Sequence, residues 1–261
     1  MATSKKITKV ESSSTASKPA FVPTAEAKAQ ATGFRTKAML FWAGAFAAQI
    51  IAMVVLFKKQ PEINLSTVMT ILLYLFLVID LVLLIVGSFQ WKKANRYDPA
   101  SKANGVKFFF QNQLGVVSAV VCFLPVVILA IVKKEYLVAA IAALFMIGGG
   151  AASADYNAPS QEEYAEQTAE VEALTGQNFV FWTKSGTKFH LYDDCRYINS
   201  SKTTEIFQGT VADARKEKGI TELCSACKTK VMKEKGITDE QLQEAQAKAK
   251  TALDGAVETA E

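Results

Sequence analysis

Four stretches of this chain each run for roughly the width of a bilayer, with a single formal charge, Asp80, among them. The first, residues 38–57, is 20 residues without a charge, and at about 1.5 Å of helix per residue it reaches about 30 Å, the hydrocarbon thickness. Residues 65–88 form a second and residues 114–132 a third, the latter preceded by "FFFQNQ", which reads as an interfacial turn. A fourth, residues 136–154, is weaker because "GGGAAS" fills its last turns; its alternative is a re-entrant or merely buried hairpin arm, and its length favours spanning. Trp91, Tyr97, Phe108 to Phe110 and Tyr136 fall at the ends of these segments, where amphipathic rings prefer the membrane–water boundary.

Half of the residues are hydrophobic, yet Lys and Arg number 29 and Asp and Glu 25, so the two kinds must occupy separate segments. Residues 1–37 carry a net +5, residues 38–156 a net +4 and residues 157–261 a net −5. The first segment is rich in Ser, Thr, Ala and Lys with few large apolar groups, and reads as a disordered basic tail. It is too long and polar to be the leading part of a cleavable signal, so Met1 is expected to begin the mature protein. With four spans, the tail and the 89–107 loop share one side and carry seven and five Lys/Arg; the two short loops opposite carry two each. That asymmetry predicts a multi-pass protein of the cell membrane with a cytoplasmic N-terminus and, for an even number of spans, a cytoplasmic C-terminal domain. Residues 151–183 contain no Lys or Arg, so the side of that domain depends on whether the fourth segment crosses.

Within the spans, Gly44, Ala48 and Ala52 recur every four residues, as do Ala139 and Ala143, predicting flat faces on which the first and fourth helices pack together. Asp80, near the centre of the second span, must face the bundle interior or be protonated. It is either an ion or proton site or a structural acid hydrogen-bonded to Gln49, Tyr74 or Gln113. Pro125 is placed to kink the third span.

Beyond the membrane segments, Ser160 and Glu163 stand in a capping-box relation and Gly176 follows thirteen residues after Glu163, predicting a helical linker over 157–176 that forms a lightly docked, solvated stalk. In "NFVFWTKSGTKFHLY" two β-rich runs flank "KSGT", predicting a hairpin in which Gly186 takes positive φ and His190 lies on the second strand. "TVADARKEKG" reads as a short helix capped by Thr210 and stopped by Gly219, and "CSAC" precedes a Lys-rich helix. The only histidine and three of the four cysteines thus form the pattern His-x4-Cys-x28-Cys-x2-Cys over His190, Cys195, Cys224 and Cys227. Tetrahedral zinc needs four such donors at about 2.0 to 2.3 Å, and two close pairs on either side of a loop supply them without straining the chain. A thioredoxin-like redox pair, a disulfide in an oxidising compartment and a histidine with no ligand role are the competing readings. Cys122, within the third span, reads as a small apolar side chain.

At these residues "TKSGTKFHLYDDCRYI" and "ADARKEKGITELCSAC" resemble a small module of bacterial secreted and membrane proteins that is similar to the metal-binding domain of the Ada DNA-repair protein. The likeness covers residues 179–228 and implies that His190, Cys195, Cys224 and Cys227 are metal ligands. It departs at Phe189, at Leu223 and in a longer Cys-to-Cys gap. In the Ada family one zinc-bound thiolate accepts a methyl group, which the likeness permits and nothing else in the chain requires.

Four protein ligands close the shell of zinc, leaving no place for an activated water, so the metal is expected to be structural and the protein not to be an enzyme. A domain of about 60 residues with few large apolar side chains needs such a metal to fold. Asp193, Asp194 and the net −5 argue against nucleic acid. The last helix, with a capping box at Thr238 and Gln241 and apolar positions at Leu242, Ala245, Ala249 and Leu253, packs back on the domain or docks a protein partner. The expected fold is thus an α-helical membrane protein, a four-helix transmembrane bundle over 38–156, with a small α+β zinc-binding domain over 177–236 and a C-terminal amphipathic helix over 237–261. The expected role is binding or scaffolding at the lipid bilayer, with no oligomeric state indicated. The alternatives are a small proton- or cation-coupled transporter or channel using Asp80, and a metal or thiol sensor.

Overall fold

The computed structural model of the protein describes residues 6–10, 25–58, 67–218 and 220–258. It divides into two compact units, one gathering Ala31–Asn95 and Phe109–Ala158, the other Met1–Gln30, Arg96–Phe108 and Pro159–Glu261.

The first unit is built on four helices long and apolar enough to cross a membrane: α1 (Ala25–Phe57), α2 (Thr67–Tyr97), α3 (Gly105–Val132) and α4 (Tyr136–Ser153). Helices α1, α2 and α3 are each longer than their apolar stretches, and α4 stops one residue short of its own. Helix α1 starts at Ala25, so the part of the polar tail from there onward is helical rather than disordered; "AEAKAQA" is a run of strong helix formers with Glu26 in the first turn. Residues 1–5 and 11–24 of that tail lie outside the described residues. "FFFQNQ" is part of α3 rather than a turn, and the α3 assignment runs unbroken through Pro125.

Small residues set the packing of this unit. A methyl group on Gly87 would lie 2.7 Å from the Trp42 ring, and one on Gly115 would meet the Ser88 hydroxyl at 2.8 Å and the Ser153 carbonyl at 3.0 Å. The glycine run of α4 is likewise a contact surface: a methyl on Gly149 would lie 2.9 Å from Leu81, while Gly150 faces Ala119 and Val116. Gly44 is apposed to Leu83 of α2, so the small face of α1 serves α2 at that point. Trp42 donates its indole N–H to the Leu84 carbonyl (3.2 Å), and Trp91 donates to the Gln111 carbonyl (2.6 Å). The buried centre includes Leu56, Leu77, Leu84, Phe123, Val126 and Ala142, while Leu40, Val68, Ile128, Leu144 and Ile147 point outward. An apolar exterior around an apolar centre is the surface a helix bundle presents to lipid.

The second unit is α+β. Strand β1 (Lys6–Lys9) opens it, followed by α5 (Gln161–Thr175), β2 (Val180–Thr183), β3 (Lys188–Phe189), β4 (Glu205–Gly209), α6 (Val211–Lys218), β5 (Glu222–Leu223), α7 (Ser225–Lys235) and α8 (Asp239–Glu258). The larger sheet has the order β1-β4-β2, with β1 parallel and β2 antiparallel to β4; β3 and β5 form a parallel pair. Helix ends obey the sequence signals. The Ser160 hydroxyl accepts from the Glu163 amide (3.1 Å), and Gly176 takes the left-handed conformation at φ 80°. Thr210 and Asp213 cap α6 reciprocally, and Thr238 and Gln241 do the same for α8. The predicted stop at Gly219 lies outside the described residues.

Helix α5 is not a solvated stalk. Tyr164, Val171 and Leu174 are fully buried, and α8 packs along α5 through Leu242 and Ala249. Its acids are also engaged: Glu163 pairs with Arg215 and Lys102, and Glu170 with Lys228. The α2–α3 connection belongs to the same unit. The Glu162 carboxylate accepts from the Ser101 hydroxyl and from the Lys102 amide (2.9 Å), while the Tyr164 hydroxyl donates to the Arg96 carbonyl (3.0 Å).

Candidate metal centre

The smaller sheet puts two pairs of donors side by side. β3 and β5 run parallel with Phe189 opposite Leu223, so the next residues, His190 and Cys224, leave the pair at the same level. The Cys224 amide donates to the Phe189 carbonyl (2.9 Å), tying the two exits together. His190 is held from its other side by Phe181, with which it exchanges both backbone hydrogen bonds at 2.7 Å. This is the predicted hairpin reduced to one bridge. Gly186 does not take positive φ; a methyl there would lie 2.8 Å from the Thr183 hydroxyl, so close approach is what the position requires.

Cys195 begins a single turn in which its carbonyl accepts from the Ile198 and Asn199 amides (2.9 and 2.8 Å). Cys224 is the N-cap of α7 and Cys227 lies in the first turn, so "CSAC" straddles the start of that helix rather than preceding it.

One donor atom from each of His190, Cys195, Cys224 and Cys227 lies within 4.8 Å of the others. The His190 Nδ1 stands 3.8 Å from the Cys227 sulfur. Bonds of about 2.0 to 2.3 Å in a tetrahedron place donors about 3.3 to 3.8 Å apart; the His190–Cys227 spacing falls at the top of that range, and the set as a whole is compatible with a metal ion such as zinc. All four cysteines are free thiols. His190, Cys224 and Cys227 are buried and Cys195 is half-buried. Burial holds the His190 imidazole below its ordinary pKa, keeping it in the neutral form that ligates metals. Burial pushes the Cys227 thiol up to about 12, the Leu191 amide opposing this and the neighbouring Cys195 and Cys224 sulfurs adding to it. Three sulfurs crowded beside a neutral imidazole form a pocket that a soft cation would relieve.

No known protein family, curated protein or solved structure matches the chain. The likeness to the Ada-type module therefore stands on the motif residues alone. Around the four donors lie Phe189, Leu191 and Val231, all buried and apolar, with no carboxylate among the four clustered donors to act as a base. A cleft of about 420 Å³ opens beside His190 and Cys224, bounded by Thr183, Ser185, Thr187 and Tyr197.

The second sequence candidate sits in the other unit. Asp80 and Gln49 are fully buried, and both Asp80 carboxylate oxygens and the Gln49 side-chain oxygen lack a hydrogen-bond partner among the described residues. The polar neighbour of Asp80 is the Cys122 thiol. Neither Gln49 nor Tyr74 is hydrogen-bonded to it, and the Gln113 amide is directed to the Asp155 carbonyl (3.5 Å). The structural-acid alternative thus finds none of its three named partners. What the sequence reading missed is β1, where "KITKV" has the β-branched alternation of a short strand but sits within a polar tail.

Proposed function

We propose that this is a multi-pass membrane protein whose C-terminal unit is organised by a structural zinc ion on His190, Cys195, Cys224 and Cys227 and serves as a binding or scaffolding module at the bilayer surface. The observation that carries this is the convergence of the chain's only histidine and three free cysteines within 4.8 Å, at a site with four protein donors and a buried apolar surround. Four protein donors close a tetrahedral shell, so the ion would supply folding free energy rather than a reactive water. The role is accordingly non-catalytic.

Sidedness follows from chain connectivity. The compact unit draws on the N-terminal strand, the α2–α3 connection and the C-terminal domain. If α1 to α4 each cross the bilayer, those three segments share one side. That side carries twelve of the Lys and Arg residues flanking the spans against four opposite, which assigns it to the cytoplasm. A reducing compartment keeps the thiols available to a metal, against the disulfide reading.

The test is metal analysis of the purified full chain. One zinc per chain is expected in the wild type, with loss of most of it in His190→Ala and Cys224→Ser. A wild-type protein that folds with no bound metal would refute the proposal. A second reading, an ion- or proton-coupled transporter, is favoured by the fully buried carboxylate of Asp80, which has no polar neighbour beyond the Cys122 thiol among the described residues. Asp80→Asn reconstituted in vesicles separates the two: a transporter loses its ion-dependent flux, whereas a binding module keeps its metal content and fold.

A further inference from the structure

The larger sheet contains a strand that comes from the far end of the chain. β1 is a four-residue edge strand, paired with β4 in the register Lys6 to Glu205 through Lys9 to Gln208, and extended by the Val10 amide donating to the Gln208 carbonyl (2.8 Å). None of its four side chains is buried, and Ile7 is 44% exposed. Three side chains on one face make the specific contacts. The Lys6 ammonium lies 3.5 Å from the Glu205 carboxylate, the Thr8 hydroxyl donates to that carboxylate, and Val10 packs against the buried cluster of the domain.

Such a strand holds by its main chain, by the Glu205 carboxylate and by the one apolar contact of the partly buried Val10, with none of the side chains of Lys6–Lys9 buried to fix it. Its ladder partner β4 is otherwise the exposed edge of a sheet, with backbone donors and acceptors directed outward. An edge of this kind accepts any extended segment that repeats the main-chain pairing and matches the side chains. The match here is basic, any, hydroxyl, any, β-branched, read from Lys6, Thr8 and Val10.

We propose that the β4 edge is a strand-docking site for an extended segment of a partner protein with that basic, hydroxyl, β-branched pattern, and that the chain's own Lys6–Lys9 strand occupies the edge until such a partner displaces it. This deepens the binding role proposed above and rests on it. Charge selects the occupant: Glu205 faces the basic position, and residues 157–261 carry a net −5. Because the internal strand is covalently attached, a free peptide must compete with it at a high effective concentration, so a partner needs either a longer ladder or a local excess.

The experiment uses the full chain in nanodiscs, a variant lacking residues 1–10, and a labelled ten-residue peptide copying residues 3–12. The deletion variant should bind the peptide saturably, and the full chain at least tenfold more weakly. Glu205→Lys in the deletion variant should weaken binding at least tenfold, and a peptide with Glu at both positions corresponding to Lys5 and Lys6 should regain it. Where the deletion variant loses its fold, Thr8→Pro in the full chain opens the edge instead, by disrupting the β1 ladder. Absence of saturable binding to an opened edge, or binding indifferent to Glu205→Lys, overturns the proposal. Co-purification of a tagged deletion chain with untagged full chain, released by the peptide, would assign the edge to a second copy and also overturn it. Zinc content measured on the same samples reports separately on the metal proposal.

Discussion

Replacing Arg215 by Met removes a charge from the most heavily buried ion pair on α5 while keeping an apolar stem of similar length. Arg215 is 6% exposed at its side chain and Glu163 32%; the guanidinium meets the Glu163 carboxylate at 2.5 Å, donates to the Gln167 side-chain Oε1 at 3.1 Å, and stacks 4.8 Å over Tyr164. Breaking a fully buried pair costs about 3 to 5 kcal/mol, because the remaining charge loses its partner. Here the remaining carboxylate keeps Lys102 at 2.7 Å and is partly solvated, which reduces the ionic part to about 1 to 2 kcal/mol. The lost cation–π contact adds about 1 kcal/mol. Denaturant unfolding of the full chain in detergent, followed by the emission of buried Trp182, should therefore show a loss of about 2 to 3 kcal/mol. The effect must also depend on pH. Burial alone would raise the Glu163 carboxyl, but the Lys102 hydrogen bond and the Arg215 charge outweigh it and hold the group below the ordinary carboxylate value. A group depressed in the folded state stabilises above its unfolded pKa and loses that contribution as pH falls through its folded one. The difference between wild type and Arg215→Met is thus fully present at neutral pH and shrinks in acid, while the common metal term cancels. A double-mutant cycle with Glu163→Gln that gives a coupling below about 0.3 kcal/mol, with zinc content unchanged, would refute this account of α5 as part of the domain core.

Three further outcomes are expected. Leu242→Ala should cost about 2 to 4 kcal/mol in the same unfolding assay, because Leu242 is fully buried where α8 packs on α5; a loss under about 0.5 kcal/mol would show α8 to be a loose appendage. Gly115→Ala should lower the thermal stability of the membrane unit, since the new methyl meets a hydroxyl at 2.8 Å and a main-chain carbonyl at 3.0 Å, and only the first can turn away; an unchanged melting temperature in detergent would refute that packing. If a metal occupies the His190, Cys195, Cys224 and Cys227 site as proposed, its chelation should shift Trp182 emission to longer wavelength, read as the difference from Trp182→Phe, with recovery on adding zinc; an unshifted spectrum after complete metal removal would show that the domain holds without an ion.

The four membrane-type helices and the helix caps were legible from local sequence because their signals are local. A run of apolar residues as long as a bilayer, or a Ser three positions before a Glu and a Gly thirteen residues farther on, constrains the backbone within its own segment. The clustered donors were legible for a different reason: imidazole and thiol are scarce in this chain, so a concentration of them within forty residues carries chemical information without any fold. Helix α5 misled because its acids looked solvated. Whether Glu162, Glu163 and Glu170 face water or pair with Ser101, Arg215 and Lys228 depends on residues 52 to 61 positions away. Strand β1 was invisible for the same reason, since a short polar strand becomes ordered only by the edge it meets and that edge lies 199 residues farther on.

By itself the sequence determined which segments are apolar enough for lipid, where α5 and α8 are capped, and which four side chains are candidates to share a metal ion, all properties of composition and near-neighbour spacing. Only the tertiary structure decided that the donors of β3 and β5 emerge side by side, that Asp80 lacks the partners proposed for it, and that the N-terminal strand completes the C-terminal sheet. Those are pairings between distant parts of the chain, and their free energy exists only once the chain has brought the two surfaces together.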